Sequence, residues 1–347
     1  MVGAIRSMTP GIGNFRIRSL KLSRSFVLRL LLSSALIAFV STKIDFGMVA
    51  ELLGSIKITF LLLGLFLIFI ERVLFAFKWN LLLATKGLSI SLRKILKIYY
   101  MSNFIGTFLP SSIGVEVVRA YSLSKHNGDL SESISSVLVD KVLATLALLI
   151  LPLVGIVLYS NRLGAQAILP TLFVLMAGLA VLLLLVLNRQ LVNSILGRLS
   201  ALSPSIFNRL QKLYEAFSGY MAYKRALLKV FALSFLIQVV RVMVVYVLTL
   251  ALDQHISLVV IFTFVPLITV LTMLPFAVGG IGIREASYVY FFSQAGLPTT
   301  EAFALSIVVY VAGMISIMPG GIFYAMGGLS DKKSDVDASR PLAHEPD

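Results

Sequence analysis

Two stretches of the sequence combine residue types that bind oxyanions. Leu109-Pro110 is followed by Gly114, Glu116 and Arg119, and Leu274-Pro275 by Gly279-Gly280-Ile281-Gly282, Arg284 and Glu285. Both read Leu-Pro-x-x-x-Gly-x-x-x-x-Arg at identical spacing. Proline removes a backbone donor and disfavours helix in the preceding residue, so each Leu-Pro step should break its apolar run into two half-helices. A helix that restarts at the glycines presents unpaired amides and the positive end of its dipole. Glycine lets an oxyanion approach those amides, and an arginine one turn on can grip a phosphate with two parallel hydrogen bonds. The chemistry predicted is recognition of an anionic headgroup by Pro110, Gly114, Glu116 and Arg119 from one side and Pro275, Gly279, Gly280, Gly282, Arg284 and Glu285 from the other.

Other charges lie within or at the ends of apolar runs, where an ionised side chain costs at least ~2.5–3.5 kcal/mol at mid-span and needs a partner or a water-filled cavity. Asp140 joins the candidate set on this ground, with Arg72, Lys141 and Arg241 as additional members. The competing reading is structural: these charges pair with one another to hold the bundle together, a reading that Glu71-Arg72 and Asp140-Lys141 fit best because these adjacent opposite charges lie near span ends, where long side chains can snorkel. Trp79, the only tryptophan, follows Lys78 and reads as an interfacial anchor.

The elements that must position these residues are apolar blocks. Hydrophobic residues make up 58% of the chain and charged ones 13%, with mean hydropathy +0.96. Runs such as Ile58–Phe69, Val142–Leu158 and Ile168–Leu187 approach, with their flanks, the ~20 residues needed to cross the bilayer. A transmembrane barrel requires alternation in short segments, and these blocks are continuously apolar. The fold class predicted is all-α, a polytopic helical membrane protein. Six spans are placed near 26–42, 57–77, 134–158, 168–188, 230–251 and 302–328, with re-entrant hairpins near 95–124 and 258–294. The basic stretch before Phe26–Val40 resembles a secretory signal, but an uncleaved first helix is simpler given the further spans.

In that layout, 22 of the 30 Lys and Arg fall in segments 1–25, 78–97, 119–133, 189–229 and 329–347, and only 3 in the segments on the opposite side. This bias fixes the orientation, with both termini in the cytoplasm; the membrane expected is the cytoplasmic (inner) one. The net charge of +14 then reads as surface facing anionic lipid, with no nucleic-acid partner. There is no cysteine, and His126, His255 and His344 are far apart, so neither a metal nor any other cofactor is implied.

Each hairpin follows two spans and precedes one, but the first half starts inside and the second outside. That is an inverted-topology repeat, with halves at about 26–158 and 168–328. A cytoplasmic amphipathic helix is expected over 204–222, where Ile206, Leu210, Leu213, Phe217 and Tyr220 recur at helical spacing. The membrane domain is bounded as 26–329, between a basic N-terminus (1–25) and a disordered tail (330–347).

At these residues the sequence resembles the lysylphosphatidylglycerol synthase transmembrane-region family of flippase-like membrane proteins. The resemblance is carried by Gly279-Gly280-Ile281-Gly282-Ile283-Arg284-Glu285, by Arg72 to Trp79 with Leu81-Leu82, and by Gly114-Val115-Glu116-Val117-Val118-Arg119 in place of the usual Gly-Gly-Asp-x-x-Arg. Asp140-Lys141 stands where Asp-Arg is common. The resemblance implies a lipid-translocating membrane region without the soluble aminoacyltransferase domain, and hence no lysyltransferase activity. The expected function is a flippase-like transporter of an anionic or phosphate-containing lipid or lipid-linked precursor. The alternative is a membrane subunit that presents lipid to a separate glycosyl- or aminoacyl-transferase. A membrane enzyme using Glu116, Asp140 or Glu285 as acid-base group is a third reading, weakened by the lack of any nucleophile-base pair at a recognisable spacing. No ATP-binding Gly-x-x-x-x-Gly-Lys-Ser/Thr loop occurs.

Overall fold

The computed structural model describes residues 24–109, 113–159, 176–178, 204–273 and 279–327. Among these residues the protein is helical throughout, without strands. The helices are α1 (Arg24–Ser41), α2 (Phe46–Gly54), α3 (Ile58–Ala84), α4 (Leu92–Thr107), α5 (Gly114–Asn127) and α6 (Leu130–Tyr159). After a gap follow α7 (Pro204–Gly219), α8 (Lys224–Ala251), α9 (Leu258–Met273), α10 (Ile283–Gln294) and α11 (Thr299–Gly327). A 3-10 turn at Tyr220–Ala222 separates α7 from α8.

Four of these helices, α3, α6, α8 and α11, are long and apolar enough to cross a membrane. The 27 residues of α3 rise about 40 Å, more than the ~30 Å of hydrocarbon. The span placed at 168–188 lies outside the described residues apart from a helical fragment at 176–178. The basic N-terminus up to residue 23 and the tail from residue 328 lie outside them too.

The helix is interrupted at both Leu-Pro steps, although Pro110, Leu274 and Pro275 themselves lie outside the described residues. α4 ends at Thr107 and α5 starts at Gly114; α9 ends at Met273 and α10 starts at Ile283. The second turn depends on glycine, because Gly279, Gly280 and Gly282 have φ of 61°, 75° and 86°, a region that side chains with a Cβ disfavour. At the first turn the dependence is on close approach. A Cβ on Gly106 would sit 2.6 Å from the Val115 amide nitrogen, so only glycine lets α4 and α5 meet there.

The packing follows the register set by the two Leu-Pro steps. A shift of 165 residues, the separation of Pro110 and Pro275, carries α3 onto α8, α4 onto α9, α5 onto α10 and α6 onto α11 to within a few residues at each end. α3 and α8 pack together along their lengths, with Gly64 of α3 against Leu248 of α8. The other contacts come in related pairs. α4 packs on α11 while α9 packs on α6; α5 packs on α6 while α10 packs on α11; α7 lies on α6 while α2 lies on α11. The halves therefore interlock, the first helix of each interrupted pair leaning on the long helix of the opposite half and the second on that of its own.

Two elements depart from the sequence reading. Segment 43–57, read as a connection, contains α2, whose N-terminus is capped by the Asp45 side chain accepting from the Met48 amide at 3.1 Å. α3 continues two turns past residue 77, because Lys78, Trp79, Leu82 and Leu83 are all buried against neighbouring helices.

Candidate functional site

The polar centre of the molecule is built on one face of α3. Glu71, Phe75 and Lys78 recur at helical spacing, so their side chains leave the helix on the same side. α6 brings Asp140 to Lys78 at 2.7 Å, and α5 brings Arg119 to the other oxygen of Asp140 at 2.9 Å. All three are sealed off, with Lys78 and Asp140 1% exposed and Arg119 4%. The Arg119 guanidinium also lies 4.9 Å from the Phe75 ring centre and 4.8 Å from that of Trp79. Trp79 is fully buried as part of this arrangement, which corrects its reading as an interfacial anchor.

The charges pair with one another across helices, as the structural reading expected, but Glu71 does not pair with Arg72 nor Asp140 with Lys141. Consecutive residues on a helix point about 100° apart, so each member faces a different neighbour. Glu71 faces α8 and accepts from Arg241 at 2.6 Å (Nη2) and 3.2 Å (Nε), while a third nitrogen of Arg241 donates to Gln238 at 3.1 Å. Lys141 faces α5 and pairs with Glu116 at 2.5 Å. Arg72 donates to the Tyr99 hydroxyl at 3.0 Å and to Ser316 Oγ at 3.2 Å. Lys78 and Arg119, counted by sequence among cytoplasmic surface charges, are instead the two buried partners of Asp140.

These pairs surround a half-open cavity of about 320 Å³ between α3, α4, α5, α6 and α8, closed at one point by Met273 at the end of α9. Glu116, Arg119, Asp140, Lys141 and Arg241 line it, as do Lys78, Tyr99, Asn103, Thr145, Ser234 and Gln238. The sequence reading missed these last six as site residues. Lys78 was legible from its seven-residue spacing to Glu71, and Gln238 from standing one turn before Arg241 on an apolar helix. The charged wall has two layers. Lys78, Asp140 and Arg119 form the sealed one, whereas the side chains of Lys141 and Arg241 are 41% and 35% exposed and can touch a ligand.

The second interrupted turn is organised differently. Gly282 donates its amide to Glu285 Oε2 at 2.6 Å, so the start of α10 is capped by its own carboxylate. Glu285 is ion-paired with Arg284, whose guanidinium lies 4.0 Å from the Tyr310 ring centre on α11. α1 covers the turn, and a Cβ on Gly282 would sit 2.8 Å from the Ser33 carbonyl oxygen. Gly279, Gly280, Gly282, Arg284 and Glu285 are absent from the cavity wall, and so is Gly114, which packs on Leu109 and the Gly106 carbonyl. The structure thus gathers one half of the predicted set and holds the other in a self-satisfied cap. Among the described residues, no group of His, Asp and Glu is placed to hold a metal ion.

The chain resembles a UPF0104 membrane protein of Methanothermobacter thermautotrophicus, at 25% identity over 311 residues that cover 83% of this chain and 92% of the relative. A family model described as Lysylphosphatidylglycerol synthase TM region matches residues 26–321, from the first helix to the last and including every residue of the cavity wall. The chain belongs to the family of the lysylphosphatidylglycerol synthase TM region, as a polytopic helical membrane protein.

Proposed function

We propose that the protein moves a phosphate-containing lipid or lipid-linked precursor between the leaflets of the cytoplasmic membrane, with both its termini in the cytoplasm. The headgroup binds in the cavity between α3, α5, α6 and α8. The observation that carries this reading is the charge of the cavity wall. Four cations, Lys78, Arg119, Lys141 and Arg241, line it against the carboxylates of Glu116 and Asp140, with Glu71 behind Arg241, so that cations exceed carboxylates by one within a bundle of apolar helices. A surplus of positive charge in a low-dielectric enclosure favours an anionic guest and disfavours a cationic one. The interlocked halves support the same reading, since a repeat packed around a central site is the architecture in which access alternates between two faces.

The test is reconstitution of the purified protein into liposomes holding labelled phosphatidylglycerol, phosphatidic acid or phosphatidylcholine, with leaflet exchange followed by chemical quenching from outside. The proposal requires faster exchange of anionic lipid with protein than without it, and its loss in Lys141→Gln and Arg241→Lys proteins that still insert and fold. Exchange that arises only when a separate lipid-modifying transferase is added would replace the transporter by a lipid-presenting subunit. No exchange of any anionic lipid would end both.

A further inference from the structure

We infer that Arg72, with Tyr99 and Ser316, forms a second anion-binding site between α3, α4 and α11, and that it takes the phosphate of a membrane lipid. The choice of a lipid as the source of that phosphate rests on the proposed function; the site itself rests on charge and geometry.

Arg72 lies near the midpoint of the 27-residue α3, in the middle of an apolar helix. Its guanidinium is charged at any accessible pH. Its two side-chain partners, the Tyr99 hydroxyl at 3.0 Å and Ser316 Oγ at 3.2 Å, are both neutral. Its remaining nitrogen, Nε, is buried with no acceptor among the described residues. The nearby carboxylates make their direct contacts elsewhere: Glu71 with Arg241, Asp140 with Lys78 and Arg119, Glu116 with Lys141, and Glu285 with Arg284. The undescribed stretches before residue 328 contain no Asp or Glu, and the acidic residues after it belong to a polar tail with no apolar run. Among the described residues Arg72 is therefore a cation that no carboxylate touches, with Glu71 acting on it only through space.

The partners favour an oxyanion. Ser316 spends its own proton on the Gly313 carbonyl at 2.6 Å and so presents lone pairs to Arg72, fixing one edge of the guanidinium. Tyr99 accepts from Arg72 and keeps its hydroxyl proton for a further acceptor. An oxyanion beside the guanidinium would receive both, which suits a phosphate with several oxygens. Position adds to this. Tyr99 also lines the cavity that holds Lys141 and Arg241, so the two sites share a wall.

The test is native mass spectrometry of the full chain in a non-ionic detergent, titrated with phosphatidic acid, with phosphatidylcholine, and with phosphatidic acid in the presence of inorganic phosphate. Wild-type protein should retain phosphatidic acid over phosphatidylcholine. Arg72→Gln should weaken that binding about tenfold, the loss of one charge-assisted contact. Tyr99→Phe should weaken it by a smaller factor, and it serves where Arg72→Gln does not fold. Displacement by inorganic phosphate at a comparable concentration would overturn the lipid assignment in favour of a soluble anion. Equal phosphatidic acid binding in wild type, Arg72→Gln and Tyr99→Phe would overturn the site. The two proposals fail separately: Arg72-dependent binding without leaflet exchange removes transport and keeps the site, and exchange with Arg72-independent binding does the reverse.

Discussion

Gly155 of α6 and Gly320 of α11 occupy the same position in the two halves, 165 residues apart, and each brings its long helix against the backbone of the opposite half. A Cβ on Gly155 would lie 3.0 Å from Thr263 Cα on α9, and one on Gly320 would overlap the Tyr100 carbonyl on α4. These two contacts interlock the interrupted pairs with the long helices that brace them.

Adding one methyl group at either position therefore drives backbone apart. Gly320→Ala and Gly155→Ala should each destabilise by about 1–3 kcal/mol, the usual cost of overpacking. Gly313→Ala, on the same helix α11 with open space around it, should be neutral or stabilising by up to ~1 kcal/mol through helix propensity. Thermal unfolding of the three variants in one detergent checks the contrast, and equal melting temperatures would refute it.

The sealed cluster around Asp140 leads to a larger effect. Asp140→Asn leaves Lys78 and Arg119 buried side by side without a counter-charge, and removing one partner of such a cluster costs about 3–5 kcal/mol. The variant should express poorly and melt well below wild type. Removing the carboxylate of the more exposed pair by Glu116→Gln should cost less than ~1 kcal/mol, because Lys141 can turn to water.

At the second turn, Glu285 both caps α10 and holds Arg284. Glu285→Gln keeps an acceptor for the Gly282 amide but loses the ion pair, while Gly282→Ala meets a φ of 86° and the Ser33 carbonyl together. The alanine variant should be the worse of the two, with faster hydrogen exchange in α10 and in the facing part of α1. Protection lost evenly across the protein would contradict a local role for this turn.

The surface bridge of Lys57 and Asp253 supplies a pH signature. Lys57 donates to Asp253 at 2.6 Å, and this contact holds the carboxyl below its usual range. A depressed pKa gives stability that is complete above the ordinary aspartate pKa of about 3.9 and is lost as pH falls through the folded value. Both side chains are exposed, so water and salt screen the effect. Asp253→Asn, which also tolerates the local φ of 59°, should melt close to wild type at neutral pH and lose slightly less stability on acidification. An acid limb steeper than wild type would reverse the sign of this argument.

The sequence by itself determined the class of the molecule and the rhythm of its helices. Long apolar blocks admit only helices in lipid, because each backbone group must be satisfied within its own segment. The Leu-Pro steps and the glycines after them set where helix stops and restarts, since these are local backbone preferences that lie in the chain itself. The spacing that equates Arg119 with Arg284 belongs to the same local information.

Only the tertiary structure decided which charges meet. Glu71 pairs with Arg241, 170 residues away, and not with its neighbour Arg72; Trp79 is buried under Arg119; and of two equivalent arginines one faces a cavity while the other closes a cap. The direction of a side chain relative to another helix depends on how the two helices are rotated and how closely they cross. Those quantities are fixed by close contacts such as Gly64 on the Leu248 side chain and Gly320 on the Tyr100 backbone, between positions that no local pattern connects.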